Sequence, residues 1–191
     1  MEPEKKLYTF IIFSMNTAGV LNEITSVFAR RQVNIESLNT SASSVEGIHR
    51  YTITCYTDEI IIDKISKQIA KKIGVVRSDY YKDDEIFIQE VALFKITTDK
   101  LLAHPEISKT IRHHNGKMVE VNPTFAIVSK VGMTDEIVSL YRSLAHYNCM
   151  LQYVRSGAIA ITTNKREKLT EYLADRKKRY ESNEKKEAKK K

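Results

Sequence analysis

The stretch Phe13 to Leu21, "FSMNTAGVL", holds the residue types in this chain best placed to do chemistry. It follows an apolar, strand-like run, "LYTFIIF", and opens an amphipathic helix. The first turn of a helix has N–H donors with no partner inside the helix, and it sits at the positive end of the helix dipole. A small carboxylate can rest there without any Lys or Arg. Gly19 has no Cβ, so a ligand can come close to the backbone. Asn16 carries both a donor and acceptors, which suits either a zwitterion or the cap of the helix. A purely local reading stands beside this one: Asn16 or Thr17 caps the helix and Gly19 eases packing. Pattern alone leaves both open. A second amide, Asn34, follows the same helix and enters the next strand; it reads as a partner for a ligand or as a turn asparagine.

The other reactive side chains make no such grouping. His113 and His114 are neighbours on a short polar helix, where adjacent side chains point about 100° apart and cannot chelate together. His49, His104 and His146 have no Ser, Cys or acid partner at motif spacing, and Glu36 is a lone carboxylate. The sequence holds no GxGxxG or GxxxxGK[ST] phosphate cradle and no CxxC or HxxxH metal spacing. Neither a catalytic residue nor a metal ligand is assigned, because general acid–base and covalent catalysis need partners within reach. Cys55 and Cys149 each lie in an apolar run, far apart in sequence, which predicts two buried thiols and a cytoplasmic protein. The opening "MEPEKK" lacks the apolar region of a secretory signal, and no run reaches the roughly 18 apolar residues of a spanning helix.

The elements that position the loop follow from periodicity. Leu7 to Phe13 is a strand; Leu21, Ile24, Val27 and Phe28 mark a helix over about Gly19 to Arg31. "VNIESLNTSAS" reads as a strand from near Val33, and "IHRYTITCYT" as another. Ile62, Ile65, Ile69 and Ile73 predict a second helix from about Glu59, with Gly74 as its C-terminal glycine. "VVRSDYY" is the fourth strand. Strand, helix, strand, strand, helix, strand is the ferredoxin-like βαββαβ order, which places the second strand at a sheet edge.

The order then repeats: a long strand "IFIQEVALFKITT", a short helix "HPEISKTIRHHN", a hairpin of "KMVEVN" and "TFAIVSKV", a helix on Ile137, Leu140, Tyr141 and Leu144, and closing strands "CMLQYVRSG" and "AIAIT". The expected fold is α+β, with two ferredoxin-like modules over 1–81 and 82–164. A basic tail covers 165–191, helical to about Tyr180 on the stripe Leu169, Tyr172 and Leu173. That tail holds 12 Lys+Arg against 6 Asp+Glu, while the preceding 164 residues hold 19 against 18. The net charge of +7 thus belongs almost wholly to the tail, which argues against a nucleic-acid-binding face on the folded part. Tyr51 and Tyr56, the aromatics an RNA-binding sheet would need, fall on opposite faces of one strand.

Asn16, Gly19, Leu21, Arg30-Arg31 and Asn34-Ile-Glu-Ser-Leu38, within "NTAGVLNEITSVFARRQVNIESLNTS", resemble the opening of an ACT domain. More narrowly, they resemble the small regulatory subunit of acetolactate synthase (acetohydroxyacid synthase). "HRYTIT" at 49–54 and "VRSG" at 154–157 extend the resemblance over about residues 7–165, and the tail lies past it. The resemblance implies a regulatory subunit, without an active site of its own, in branched-chain amino acid biosynthesis. Such a subunit activates a catalytic (large) subunit, on which thiamine diphosphate, magnesium and FAD reside. It confers feedback inhibition by valine, leucine or isoleucine bound at the interface of an ACT homodimer. By motif, Asn16, Thr17, Ala18, Gly19, Val20 and Leu21 of one subunit would bind the effector together with Asn34 and Ile35 of the other. No nucleic-acid or membrane partner is implied. The alternative is a free-standing amino-acid sensor that controls transcription or another enzyme; no helix-turn-helix segment accompanies the loop.

Overall fold

The computed structural model describes residues 5–163 and 169–175. The first half runs β1 (Lys6–Met15), α1 (Val20–Arg30), β2 (Ser37–Ala42), β3 (Ile48–Thr57), α2 (Glu59–Ile69) and β4 (Val75–Tyr81). Its four strands form an antiparallel sheet in the order β2-β3-β1-β4, so β2 lies at an edge as expected. Alternate residues of β1 face opposite sides. Tyr8, Phe10 and Ile12 meet Val20, Ile24, Val27 and Phe28 of α1 and Ile62, Ile65 and Ile69 of α2, forming one buried core. Phe10 and Phe28 pack edge to face at 5.2 Å, an arrangement that suits the ring quadrupoles.

Two boundaries differ from the sequence reading. The β2 ladder begins at Ser37, four residues beyond Val33. Val33 to Ile35 form an irregular connection, because Gln32 turns the chain with φ 54° and cross-strand bonding starts only with Glu36 N–H to Thr54 O at 2.8 Å. Asp58 caps α2 by accepting from Ile61 N–H at 2.8 Å, but the helix ends at Ile69, with Ala70 as its cap. Ile73, expected on the apolar stripe, is 95% exposed. Gly74 is therefore not a helix cap; its function lies with the loop described below.

A short 3-10 turn, Asp83–Glu85, leads into the second half. There β5 (Ile86–Thr97), α3 (Thr98–Ala103), α4 (Pro105–His113), β6 (Lys117–Val121), β7 (Phe125–Gly132), α5 (Thr134–Ala145), β8 (Met150–Arg155) and β9 (Ile159–Thr162) follow. The sheet order β6-β7-β5-β8 reproduces the first, with β9 added along the beginning of β5. Phe94, Ile96, Ile107, Ile111, Val128, Ile137, Leu140 and Leu144 form its core. The sequence reading missed α3, because Thr98 looks like the end of a β-rich run. Thr97 Oγ1 instead accepts from Lys100 N–H and starts a helix there. Pro105 opens α4, where its missing N–H costs nothing.

The tail touches the first sheet. Residues 169–175 are helical, and Leu169, 3% exposed, packs with Ile11, Phe13 and Val76 on the sheet face opposite the helices; Leu173 joins them. The guanidinium of Arg77 lies 5.8 Å from the Tyr172 ring. The rest of the expected tail helix lies outside the described residues. Both cysteines are buried, free thiols, and burial pushes Cys55 up to about 12.

Candidate functional site

The loop lies where three chain segments meet. In the sheet, Met15 at the end of β1 is paired with Ile48 at the start of β3, and Ser14 with Val75 at the start of β4. Met15 N–H donates to Gly74 O at 2.8 Å, and Asn16 N–H to Gly47 O at 2.9 Å. A Cβ on Gly74 would come within 3.0 Å of Val20 Cγ2, so that glycine holds the turn before β4 against the loop. The sequence reading missed both anchoring glycines. The signal was in the strand order, which brings the starts of β3 and β4 to the end of β1.

Neither Asn16 nor Thr17 caps α1. The N-cap residue is Gly19 itself, with φ 89° and no side-chain hydrogen bond to the helix. Gly19 O accepts from Glu23 N–H at 3.0 Å, so the helix begins properly, yet the N–H groups of Leu21 and Asn22 receive no side-chain cap. A Cβ at Gly19 would meet nothing within 4 Å. Its glycine is needed for the left-handed backbone and not for close packing, and the space in front of it is open. Asn16, Thr17, Ala18 and Gly19 are exposed, and so is Leu21 at 39%. Val20 is 6% exposed and its side chain belongs to the core. Only its backbone faces the loop's surroundings.

Asn34 is exposed and Ile35 is half-buried against the first core. They do not meet the loop within one chain. Ser37 pairs with Thr54, which pairs with Thr9 on its other side, so the start of β2 is level with Thr9. The loop begins beyond Met15, and at about 3.3 Å per residue the two segments stand roughly 20 Å apart along the sheet. A site drawing on both needs a second copy.

The histidines do gather, without making catalytic machinery. His113, His114 and His146 line a cleft of about 570 Å³ with Lys109, Thr110, Ser143 and Tyr147. Ser143 Oγ lies 3.4 Å from His114 Nε2, but the hydroxyl donates to Ser139 O at 3.0 Å, and no carboxylate lines the cleft to orient the ring. Burial, then the neighbouring His113 and Lys130, lower the pKa of His114. Among the described residues no group of three or more His, Cys, Asp or Glu side chains converges as metal ligands, and no helix is long and apolar enough to cross a membrane.

Comparison with known proteins covers both halves. Residues 10–77 match a family described as the AHAS small subunit-like ACT domain, and residues 89–164 match one described as the small subunit of acetolactate synthase. The acetolactate synthase small subunit of Mycolicibacterium smegmatis is 25% identical over 159 residues, 83% of this chain and 92% of that protein. The acetolactate synthase small subunit of Bacillus subtilis is 27% identical over 165 residues, 86% of this chain and 94% of that one. Among solved structures, the acetolactate synthase small subunit of Thermotoga maritima superposes with a TM-score of 0.76 at 24% identity, covering 84% of this chain and 99% of that one. The fold is therefore shared along nearly the whole described length.

Proposed function

Because the chain belongs to the acetolactate synthase small-subunit family, we propose that it activates a thiamine-diphosphate-dependent catalytic subunit and confers feedback inhibition by valine or a related branched-chain amino acid. Thiamine diphosphate, magnesium and FAD belong to that partner in this reading, and the complex is cytoplasmic. Residues 1–81 form the effector-binding unit and 82–164 the regulatory unit. The observation that carries the proposal is the uncapped, exposed entry to α1 through a left-handed Gly19. With Gly19 at the N-cap there is no side-chain acceptor for the first-turn N–H groups, which leaves those donors open to a ligand.

The effector's carboxylate rests on the first-turn N–H groups of α1, where the helix dipole favours an anion. The amides of Asn16 and of Asn34 from a second copy hold its polar ends. Thr17 and Ala18 line the approach, and the exposed side chain of Leu21 and the half-buried Ile35 of the second copy enclose the branched tail. Val20 supplies backbone. The separation of the two segments within one chain supports an effector that bridges two copies. β2 lies at the sheet edge with residues 40–42 exposed, and a second copy can pair with it there. Such a ligand shifts the equilibrium between two arrangements only by its difference in affinity for them, commonly ~1–3 kcal/mol.

The test is calorimetric titration of the full chain with valine, leucine and isoleucine, with glycine and lysine as controls. Saturable binding by a branched-chain amino acid is expected. Gly19→Asp should remove it while leaving activation of the catalytic subunit intact, since the new carboxylate repels the ligand's and fills the open approach. Wild-type inhibition in that variant would refute the site.

A further inference from the structure

The "VRSG" motif, Val154 to Gly157, has so far no part in the function. Its turn touches both sheets. On one side Ser156 clamps β5 twice: its N–H donates to Val91 O at 2.9 Å, and its Oγ accepts from Val91 N–H at 3.0 Å. On the other side Ala158 N–H donates to Ser37 Oγ at 3.4 Å, and Ser37 Oγ lies 2.7 Å from Thr54 Oγ1. Gly157 has φ 79°, and a Cβ there would stand 3.4 Å from the Cβ of Ser37. Arg155, next in line, is 3.5 Å from the buried carboxylate of Glu90, whose other oxygen accepts from Thr134 Oγ1 at 2.5 Å. Thr134 is the first residue of α5.

Ser37 is two residues from Ile35, which the regulatory reading places in the effector pocket. We infer that the Ser156–Ala158 turn is the strut that carries the state of the Asn34–Ile35 segment into the second half. Ser37 is its receiving end, Gly157 permits the contact, and β5 and α5 are its output. A displacement of the first residue of β2 cannot be absorbed in the turn, because Val91 holds Ser156 by two hydrogen bonds. It is passed instead to Glu90 and Val91, and Val91 opens on an exposed face of the second sheet. Another tie between the halves, Arg50 Nη2 to Ala160 O at 2.6 Å, starts from β3 four residues before Thr54 and keeps the halves joined when the strut is cut. Coupling of this kind needs a contiguous route and a demonstrated loss when the route is broken.

This inference rests on the feedback reading, and its test separates the two. Ser37→Ala and Gly157→Val are made in the full chain and assayed with the catalytic subunit, with Ser37→Thr as the conservative control. Valine affinity of the free chain and activation without valine should stay within about twofold of wild type, while the inhibition reached at saturating valine falls to less than half of the wild-type extent. Ser37→Thr should restore inhibition. Wild-type inhibition in both variants overturns the strut; so does a loss of valine binding that matches the loss of inhibition, since Ser37 would then belong to the pocket. If the wild-type chain binds no valine, the feedback reading fails and hydrogen exchange judges the strut alone. Gly157→Val should speed exchange at the Val91 amide and along Ser37–Ala42 together. Faster exchange at only one of these places overturns it.

Discussion

The two halves of the molecule share a sheet order and a helical face, and they diverge at the strand-to-helix connection and at the sheet's other face. In the first half β1 leaves the sheet through four exposed residues, and α1 starts on a left-handed glycine with no side-chain cap. In the second half β5 passes straight into α3, and the hydroxyl of Thr97 caps it. The outer face of the first sheet is closed by the chain's own Leu169 and Leu173, whereas on the second sheet Val91, Leu93, Val131 and Val154 stand 38–52% exposed. One architecture thus enters its helices in two ways, through an exposed, uncapped Gly19 before α1 and through the Thr97 cap of α3, and it leaves one outer face covered and the other bare.

The largest effect should come from uncovering the first sheet. Truncation after Thr163 removes Leu169 and Leu173 and exposes Ile11 and Phe13. At about 1.5–3 kcal/mol per buried large apolar side chain, a loss of roughly 3–5 kcal/mol is expected. Leu169→Ala should cost roughly 2 kcal/mol by itself. Leu93→Thr on the second sheet, already exposed, should change stability by no more than about 0.5 kcal/mol. Urea unfolding midpoints measure all three. A truncated chain as stable as the full one would erase the contrast between covered and open faces.

That cover was only half legible in the sequence. Leu169, Tyr172 and Leu173 announce an apolar stripe, but nothing local says which surface receives it. The ferredoxin-like order, the edge position of β2 and the strands "IHRYTITCYT" and "VVRSDYY" were readable because β-branched and aromatic residues are dense there and turns bound them cleanly. Ile73 misled because it continues a helical spacing that the backbone does not follow: Gly74 O must reach Met15 N–H, which ends the helix early. Thr98 misled because a threonine after β-rich residues looks like strand until its neighbour Thr97 turns and caps. At the loop, residue types alone could not choose between cap and ligand. That neither Asn16 nor Thr17 caps α1 is a matter of backbone angles and hydrogen bonds, which residue types do not carry. The separation of Asn34 from the loop follows from register, which composition does not carry.

The contrast between the two helix starts predicts effects of middle size. Asn34→Ala should weaken valine binding by roughly 1–3 kcal/mol if its amide is buried against the ligand in the assembled site, with stability unchanged. Unaltered affinity in calorimetry would remove Asn34 from the site. Thr97→Ala should cost about 1 kcal/mol of stability through the lost cap. Asn16→Ala and Thr17→Ala should cost no more than about 0.5 kcal/mol, because neither side chain caps α1. If Asn16→Ala destabilised the chain as much as Thr97→Ala, the loop would be a capped turn after all.

The smallest effect concerns one carboxylate in each half. Lys72 Nζ donates to Glu23 Oε2 at 2.6 Å and ties the turn after α2 to α1; Lys130 Nζ donates to Glu136 Oε2 at 3.2 Å and ties β7 to α5. The hydrogen bond and charge of each lysine hold its partner carboxyl below the ordinary value, and Met133 N–H helps at Glu136. A carboxyl whose pKa is lower in the folded state stabilises the fold above its unfolded pKa and loses that contribution as pH falls through the folded value. Both ties therefore act at neutral pH and fade in the acid range below the usual carboxylate value. The lysines differ in exposure: the Lys130 side chain is 5% exposed and that of Lys72 is 22%. Salt at 1 M shortens the screening length to about 3 Å and weakens exposed pairs more than buried ones. NMR titration of the glutamate side chains should then show Glu23 moving further toward its ordinary pKa than Glu136 on adding salt. Lys72→Met should release Glu23 and leave Glu136 where it is. Equal movement of both carboxyls with salt would mean that the burial of Lys130 gives its pair no protection, and the two halves would not differ in this respect.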